Sequence, residues 1–127
     1  MKIGEVAAAA EMRASAIRYY EACGIIPAPR RVNGVRSYEP EAVDRLRLVA
    51  FYRSCGVSIS ELTAIFGSDA GARRENAHAA VSRRIAELDR LVHRAAGMKR
   101  RLQALQRCRC EGERSRCVAL RRTKRTA

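Results

Sequence analysis

The sequence of 127 residues predicts a mainly α-helical chain, with a winged helix-turn-helix near its N-terminus and one long helix after it. Two short amphipathic segments with a tight turn between them, residues 3–10 and 13–22, are typical of a helix-turn-helix. Asn33-Gly34 lies between two short extended segments and predicts a hairpin, the wing, because both central residues of such a turn take positive φ. Residues 73–106 contain no proline and one glycine, which predicts the long helix.

Local signals predict where the other helices of the N-terminal half begin and end. Gly24 suits the left-handed position that closes the second helix. Pro40 suits the first turn of a third helix, which runs up to Gly56. Ser58 and Glu61 have the spacing of a capping box and open a fourth helix.

The long helix carries an apolar seam whose residues recur by four and three, interrupted only by a lysine. The seam consists of Val81, Ile85, Leu88, Val92, Ala95, Lys99 and Leu102. At 1.5 Å per residue the helix is on the order of 50 Å long, and the small preceding domain cannot cover a stripe of that length. We therefore expect a homodimer, in which the same helix of a second subunit covers the seam.

The net charge of +13 suggests a polyanionic partner. Its distribution is uneven: residues 1–70 carry 9 basic and 8 acidic side chains, whereas residues 71–127 carry 17 and 5. The positions of particular arginines are therefore more informative than the total.

No segment has the pattern of a signal peptide or a transmembrane helix, and we expect a cytoplasmic protein. No paired carboxylates, phosphate-binding glycine loop or Ser/His/Asp set is present, so we expect no enzyme.

The candidate DNA contacts lie on the second helix and the wing. Four side chains of the second helix point away from its inward stripe, as the side chains of a recognition helix do; they are Arg13, Ser15, Arg18 and Tyr19. Arginines on a wing can contact the flanking phosphates; here these are Arg30, Arg31 and Arg36. The alternative is that all of these are ordinary solvated side chains on a small helical domain.

Residues 1–66 contain the segments M-K-I-G-E-V-A, A-I-R-Y-Y-E-A-C-G-I-I-P, R-R-V-N-G-V-R-S-Y and D-R-L-R-L-V-A-F-Y-R-S-C-G-V-S-I-S-E-L. In these segments the chain resembles the N-terminal domain of the MerR family of bacterial transcription regulators. The resemblance implies a winged helix-turn-helix DNA-binding domain at 1–70, an antiparallel dimerisation coil at 71–106, and a cysteine-containing effector loop with a basic tail at 107–127. It also implies a dimer that bends and untwists a promoter so that RNA polymerase can engage it.

The resemblance assigns roles by position. Phosphate contacts fall on Arg18, Tyr20 and Arg53, a base-facing position falls on Ser15, and wing contacts fall on Arg31, Gly34 and Arg36. Tyr38 is expected to pack the wing onto the third helix. The sequence departs from the family pattern at Glu11-Met12 in the turn and at Ser15, which affects the operator sequence rather than DNA binding itself.

Three of the five cysteines lie close together after the long helix, at Cys108, Cys110 and Cys117. Four arginines among them favour the thiolate form, which is the form that binds metals. Thiolates select soft metal ions, here Hg, Cd, Pb, Zn or Cu(I). The metal-sensing members of the resembled family carry two cysteines that flank such a loop, in the positions of Cys108 and Cys117. We therefore predict a metal-responsive regulator.

Other interpretations of the cysteines stay open. A redox sensor with a two-iron, two-sulfur cluster is one, although the corresponding family motif has four cysteines. Another is an effector-independent DNA-binding protein whose clustered thiols have no function. Cys23 and Cys55 lie at helix ends in the N-terminal domain, and we expect both to have packing roles.

Overall fold

The computed structural model describes residues 1–109 and confirms the predicted fold class. Within that range the chain forms five helices and one two-stranded antiparallel sheet. In chain order these are α1 (Ile3–Ala10), α2 (Ala14–Ala22), β1 (Arg30–Val32), β2 (Val35–Ser37), α3 (Glu41–Ser54), α4 (Ile59–Phe66) and α5 (Ala70–Arg107).

The turn between α1 and α2 is tight because α1 ends in a left-handed residue. Glu11 has a φ of 53°, and the backbone N–H of Met12 donates to the carbonyl of Ala7 over 2.9 Å. A left-handed conformation is more costly for glutamate than for glycine. Met12 offsets part of that cost, since its side chain packs against the core.

The wing is a hairpin of two three-residue strands. Arg31 of β1 pairs with Arg36 of β2, and Val32 pairs with Val35. Asn33 and Gly34 both have positive φ, 51° and 78°, which confirms the turn that their sequence predicts.

A single apolar core holds the N-terminal domain together. Its largest fully buried side chains come from α1, α2, α3, α4 and the segment before the wing. They are Ile17, Ile25, Ile26, Leu46, Leu62, Ile65, Val6 and Val49. Burial of each contributes about 1.5–3 kcal/mol relative to exposure. The same core includes Tyr38, which follows β2 directly.

The chain divides into two compact units. The first is Met1–Arg84, and the second begins at Ile85. The first turns of α5 belong to the first unit, where Ala80 is buried. Arg84 Nε donates to the carbonyl of Cys55 over 2.7 Å. Cys23 packs against the core as expected, but Cys55 is exposed, so the packing role predicted for it is wrong.

In the second unit, α5 exposes large apolar side chains along its length. They are Ile85, Leu88, Leu91, Val92, Met98 and Leu102. With 38 residues, α5 is about 57 Å long at the standard rise. Among residues 1–109, no helix combines the length and the apolar character that crossing a membrane requires.

Candidate nucleic-acid interface

The exposed face of α2 carries the side chains that the sequence selects as a recognition surface. Ser15, Arg18 and Tyr19 are exposed, whereas Tyr20 packs partly against the core. Arg13 is the N-cap residue of α2, and its side chain makes no capping hydrogen bond. The Arg13 side chain therefore does not offset the positive end of the α2 dipole, which favours an anion at this helix end.

A carboxylate that the sequence interpretation missed joins α2 to the wing. Glu21 Oε2 accepts a hydrogen bond from the Tyr38 hydroxyl over 3.0 Å and lies 3.7 Å from Arg36 Nε. The Glu21 side chain is only 19% exposed, and Tyr38 is 3% exposed. A half-buried carboxylate needs such donors, because desolvation penalises an unpaired charge. The hydroxyl of Tyr38 therefore contacts α2, a contact beyond the packing expected from the sequence.

The electrostatics of Tyr38 show which cations lie near this junction. Burial raises the pKa of Tyr38, and the hydrogen bond to Glu21 and the charge of Glu21 raise it further. Arg36 and Arg18 act in the opposite direction on the same pKa. The charges of Arg18 from α2 and Arg36 from the wing thus both act on this hydroxyl, and Arg36 is attached to α2 by its ion pair with Glu21.

The charge of Arg53, at the end of α3, acts on Tyr19 of α2. The hydrogen bond to Cys23, followed by the charge of its thiolate form, raises the pKa of Tyr19, and Arg53 lowers it. Arg53 is exposed, and its Nη1 donates to the carbonyl of Val57 over 2.9 Å, which orients the guanidinium at the end of α3.

The wing and the start of α1 form a basic groove of about 520 Å³. Its cations are Lys2, Arg31 and Arg36, and Gly34 also lines it. Arg31 Nη1 donates to the Gly34 carbonyl over 3.3 Å, which holds that side chain across the turn. Sequence reasoning missed Lys2, and the available signal was a basic residue placed directly before the first helix. Glu5 also lines the groove and accepts a hydrogen bond from the backbone of Lys2. Three cations and one carboxylate leave a surplus of positive charge on this concave surface, which suits a phosphate backbone.

The remaining predicted residues have simpler surroundings. Arg30 is exposed and lies 3.8 Å from Glu39. Cys108 is partly exposed and follows α5 directly. Cys110 and Cys117 lie outside the described residues. No group of three or more histidine, cysteine or acidic side chains that could hold a metal ion occurs between residues 1 and 109.

Replacing Tyr38 with phenylalanine tests the link between α2 and the wing. We expect the Tyr38→Phe variant to lose about 1.5 kcal/mol of unfolding free energy at pH 7, because a hydrogen bond to a charged acceptor is removed. A tyrosine whose folded-state pKa is raised contributes stability below its unfolded pKa of about 10, and that contribution is lost as pH rises through the folded value. The difference between the wild type and the variant should therefore shrink above pH 10.

Urea unfolding followed by circular dichroism between pH 7 and pH 11 measures this difference. Tyr20→Phe is the matched control, since no hydrogen bond of the Tyr20 hydroxyl is present within the described range. Equal effects of the two substitutions at pH 7 would contradict the role of the Tyr38–Glu21 bond.

Comparison with known proteins places this geometry in a family. Residues 1–68 match the model of the MerR HTH family regulatory proteins, and residues 43–105 match a second model described as MerR, DNA binding. The ZntR-homologue transcriptional regulator of Haemophilus influenzae is 30% identical over 109 residues, which are 84% of this chain and 81% of that protein. The heavy metal-dependent transcription regulator 2 of Rhizobium meliloti is 32% identical over 108 residues, 83% of this chain and 74% of that protein.

The fold is also that of a solved structure, a transcription regulator from Ralstonia metallidurans in complex with lead(II). The TM-score is 0.67, with 24% identity and coverage of 95% of this chain and 97% of that one. A match of the first family model to 68 of the 127 residues, together with the relatives above, shows that the chain belongs to the MerR family of transcription regulators.

Proposed function

We propose that this regulator binds promoter DNA as a homodimer and that thiolates beyond α5 bind a soft metal ion that sets its activity. The observation that carries the DNA-binding part is the junction at Glu21 of α2, which accepts from the Tyr38 hydroxyl over 3.0 Å and lies 3.7 Å from Arg36 Nε of the wing. A wing attached in this way to the helix that exposes Arg18 presents one basic surface to a duplex.

On this surface, α2 enters the major groove and the wing contacts the flanking backbone. Arg13, Ser15, Arg18 and Tyr19 are exposed on α2 and available to base edges and phosphates. Contacts to the backbone come from Arg30, Arg31, Arg36 and Arg53, with Tyr20 and Gly34 positioned beside them. Lys2 joins this set because it lines the same groove as Arg31 and Arg36. Phosphate contacts of this kind orient the protein without reading sequence.

The exposed seam of α5 supports the homodimer. Ile85 is 55% exposed and Val92 is 69% exposed, and they recur at heptad spacing with Leu88 and Leu102. Covering such side chains gains roughly 25 cal/mol for each Å² removed from water. An antiparallel coil with the α5 of a second copy covers the seam in both subunits at once.

The metal site is proposed on Cys108, Cys110 and Cys117. Cys108 follows α5 directly, and Arg107 and Arg109 flank it, so that in its reduced form the local positive charge favours the thiolate. Thiolates bind Hg, Cd, Pb, Zn or Cu(I). The heavy-metal dependence in the name of the Rhizobium meliloti relative supports this assignment. In the active state, the dimer distorts the promoter so that RNA polymerase engages it, and sequence-dependent DNA deformability contributes to recognition.

Arg18→Ala tests the placement of α2 on DNA. We expect at least a tenfold loss of affinity for a duplex selected from random sequences by the wild-type protein, because each specific arginine contact contributes about 1–3 kcal/mol and a dimer loses two. Fluorescence anisotropy at fixed salt measures affinity, and gel filtration checks the dimer. Arg94→Ala removes the same charge from an exposed position of α5 and should keep near-wild-type binding. Equal losses in both variants would refute the placement.

Ile85→Glu tests the homodimer. A charge within the proposed seam should convert the dimer to a monomer in sedimentation velocity at micromolar concentration, since burying an unpaired carboxylate is costly. The control is Ala86→Glu, which places the same charge on the neighbouring exposed position outside the seam and should leave the dimer intact. A wild-type protein that sediments as a monomer would exclude the proposed assembly.

A triple Cys→Ser variant at positions 108, 110 and 117 tests the thiolate site. Wild-type protein purified without oxygen should bind Hg(II), Cd(II), Pb(II), Zn(II) or Cu(I) in a way that changes transcription from the selected promoter in vitro. The serine variant should still bind DNA, but the metal should not change its effect on transcription. Visible absorption bands and bound iron would identify an iron–sulfur cluster instead. An unchanged response of the variant, or no response of the wild type to any metal or oxidant, would rule out the sensor.

A further inference from the structure

The turn that follows α3 is closed by a glycine. Gly56 has a φ of 82°, and its N–H donates to the Arg53 carbonyl over 3.0 Å. The N–H of Val57 donates to the Tyr52 carbonyl, also over 3.0 Å. These two bonds form the Schellman motif, which satisfies carbonyls that the end of a helix leaves without partners. Two further carbonyls of the turn, those of Cys55 and Val57, accept from arginine side chains.

The first of these arginines is Arg53, the residue proposed to contact a phosphate. Its Nη1 donates to the Val57 carbonyl over 2.9 Å, so its guanidinium lies across the turn. Val57 is 2% exposed and belongs to the core, which anchors the far end of the turn. Cys55 and Gly56, in the middle of the turn, are both exposed. The position of the Arg53 guanidinium therefore depends on what holds that exposed middle part.

The second arginine, Arg84 of α5, supplies a contact to the middle of the turn. Its Nε donates to the Cys55 carbonyl over 2.7 Å, across 29 positions of sequence. Cys55 is the C-cap residue of α3, so its carbonyl lies at the negative end of the helix dipole, where a cation is favourable. A hydrogen bond from a charged donor is stronger than one between neutral groups. Arg84 thus links α5 to the turn within the compact unit Met1–Arg84.

Gly56 leaves the space that this contact needs. A Cβ added to Gly56 would lie 2.8 Å from Arg84 Cζ and 2.9 Å from Arg84 Nε, closer than carbon and nitrogen atoms approach without displacement. The guanidinium therefore lies directly against the bare backbone of the turn. A side chain at position 56 would displace Arg84.

We propose that Arg84 is a positioning residue for DNA binding. By binding the Cys55 carbonyl and covering Gly56, it holds the turn after α3 in the conformation from which Arg53 contacts a phosphate. In this arrangement Arg84 acts through the turn and does not itself touch the duplex. The inference rests on the proposed phosphate contact of Arg53.

The salt dependence of DNA binding tests this role. The affinity of the full-length protein for the selected duplex is measured between about 50 and 200 mM salt, since each phosphate contact contributes about 0.9 to the slope of log affinity against log salt. We expect Arg53→Gln and Arg84→Gln each to lower the magnitude of the slope by about 0.9 per subunit, and the double variant to lower it no further. Arg83→Gln removes the same charge from the neighbouring exposed position of α5 and should keep the wild-type slope.

The double variant separates positioning from two other roles of Arg84. If Arg84 contacted a phosphate itself, its effect on the slope would add to that of Arg53→Gln. If Arg84 only stabilised the fold, Arg84→Gln would lower the unfolding temperature without changing the slope of the folded protein. Thermal unfolding of each variant, followed by circular dichroism, is therefore measured beside the affinities.

Gly56→Asn displaces Arg84 while keeping every charge. Asparagine tolerates the left-handed conformation better than most residues, but its side chain takes the space that the Arg84 guanidinium occupies. We expect the same reduction of the slope as in Arg84→Gln. Gly24→Asn is the matched control, because Gly24 follows α2 with a φ of 77° and a Cβ there meets nothing within 4 Å. It should keep the wild-type slope.

Failure of the phosphate contact and failure of the positioning role give different results. An unchanged slope in Arg53→Gln overturns the phosphate contact of Arg53 and with it this inference. A reduced slope in Arg53→Gln with a wild-type slope in Arg84→Gln or Gly56→Asn overturns the positioning role alone. An effect of Arg84→Gln that persists in full in the double variant also overturns it. If Arg84→Gln does not fold, Gly56→Asn decides.

Discussion

The carboxylate of Glu21 accepts a hydrogen bond from Tyr38 at 3.0 Å and pairs with Arg36 at 3.7 Å, and through these contacts it joins α2 to the wing. A hairpin of two three-residue strands is marginal in isolation, so its orientation depends on what lies beneath it. The Tyr38 ring is buried in the core, and its hydroxyl and the Arg36 guanidinium converge on one half-buried anion of the recognition helix. This junction determines where the cations of α2 lie relative to those of β2. A substitution at Glu21 would therefore affect the position of side chains on both elements.

The same logic explains how a nearly neutral domain presents a basic surface. Residues 1–70 contain 9 basic and 8 acidic side chains, yet several acids are engaged internally. Glu5 accepts from the backbone of Lys2, Asp69 caps α5, and Glu21 holds the wing. These carboxylates satisfy backbone or hydroxyl donors within the fold, while Lys2 and Arg31 line an open groove. The net charge of the domain is therefore a poor guide to its potential, because several carboxylates already accept hydrogen bonds within the fold, including Glu5 in the groove itself.

The sequence predicts well the turns and helix caps that depend on the backbone conformation of one or two neighbouring residues. Asn33 and Gly34 adopt the positive φ expected of them, and the Ser58 side chain caps α4 by accepting from Glu61 N over 3.1 Å. Contacts between distant positions were not predictable in the same way. Tyr38 meets Glu21 across 17 positions, and this pairing depends on how α2 and the wing pack rather than on either local pattern. Cys55 shows the converse error: a helix end favours neither burial nor exposure, and the packing around α3 leaves that thiol exposed.

Only part of α5 packs against the core. Ala80, which lies outside the apolar seam, is buried against the core of the first unit, whereas Val81 and the large seam residues from Ile85 onwards are exposed. Covering these exposed side chains would gain roughly 25 cal/mol per Å² of apolar surface removed from water. In the proposed dimer a second copy covers them, and α5 then carries the seam at its middle and ends at Arg107, one residue before Cys108. A metal ion bound to thiolates at that end would act on an element shared by both subunits, and this shared element is the physical basis on which the proposed sensor site can influence the proposed DNA surface.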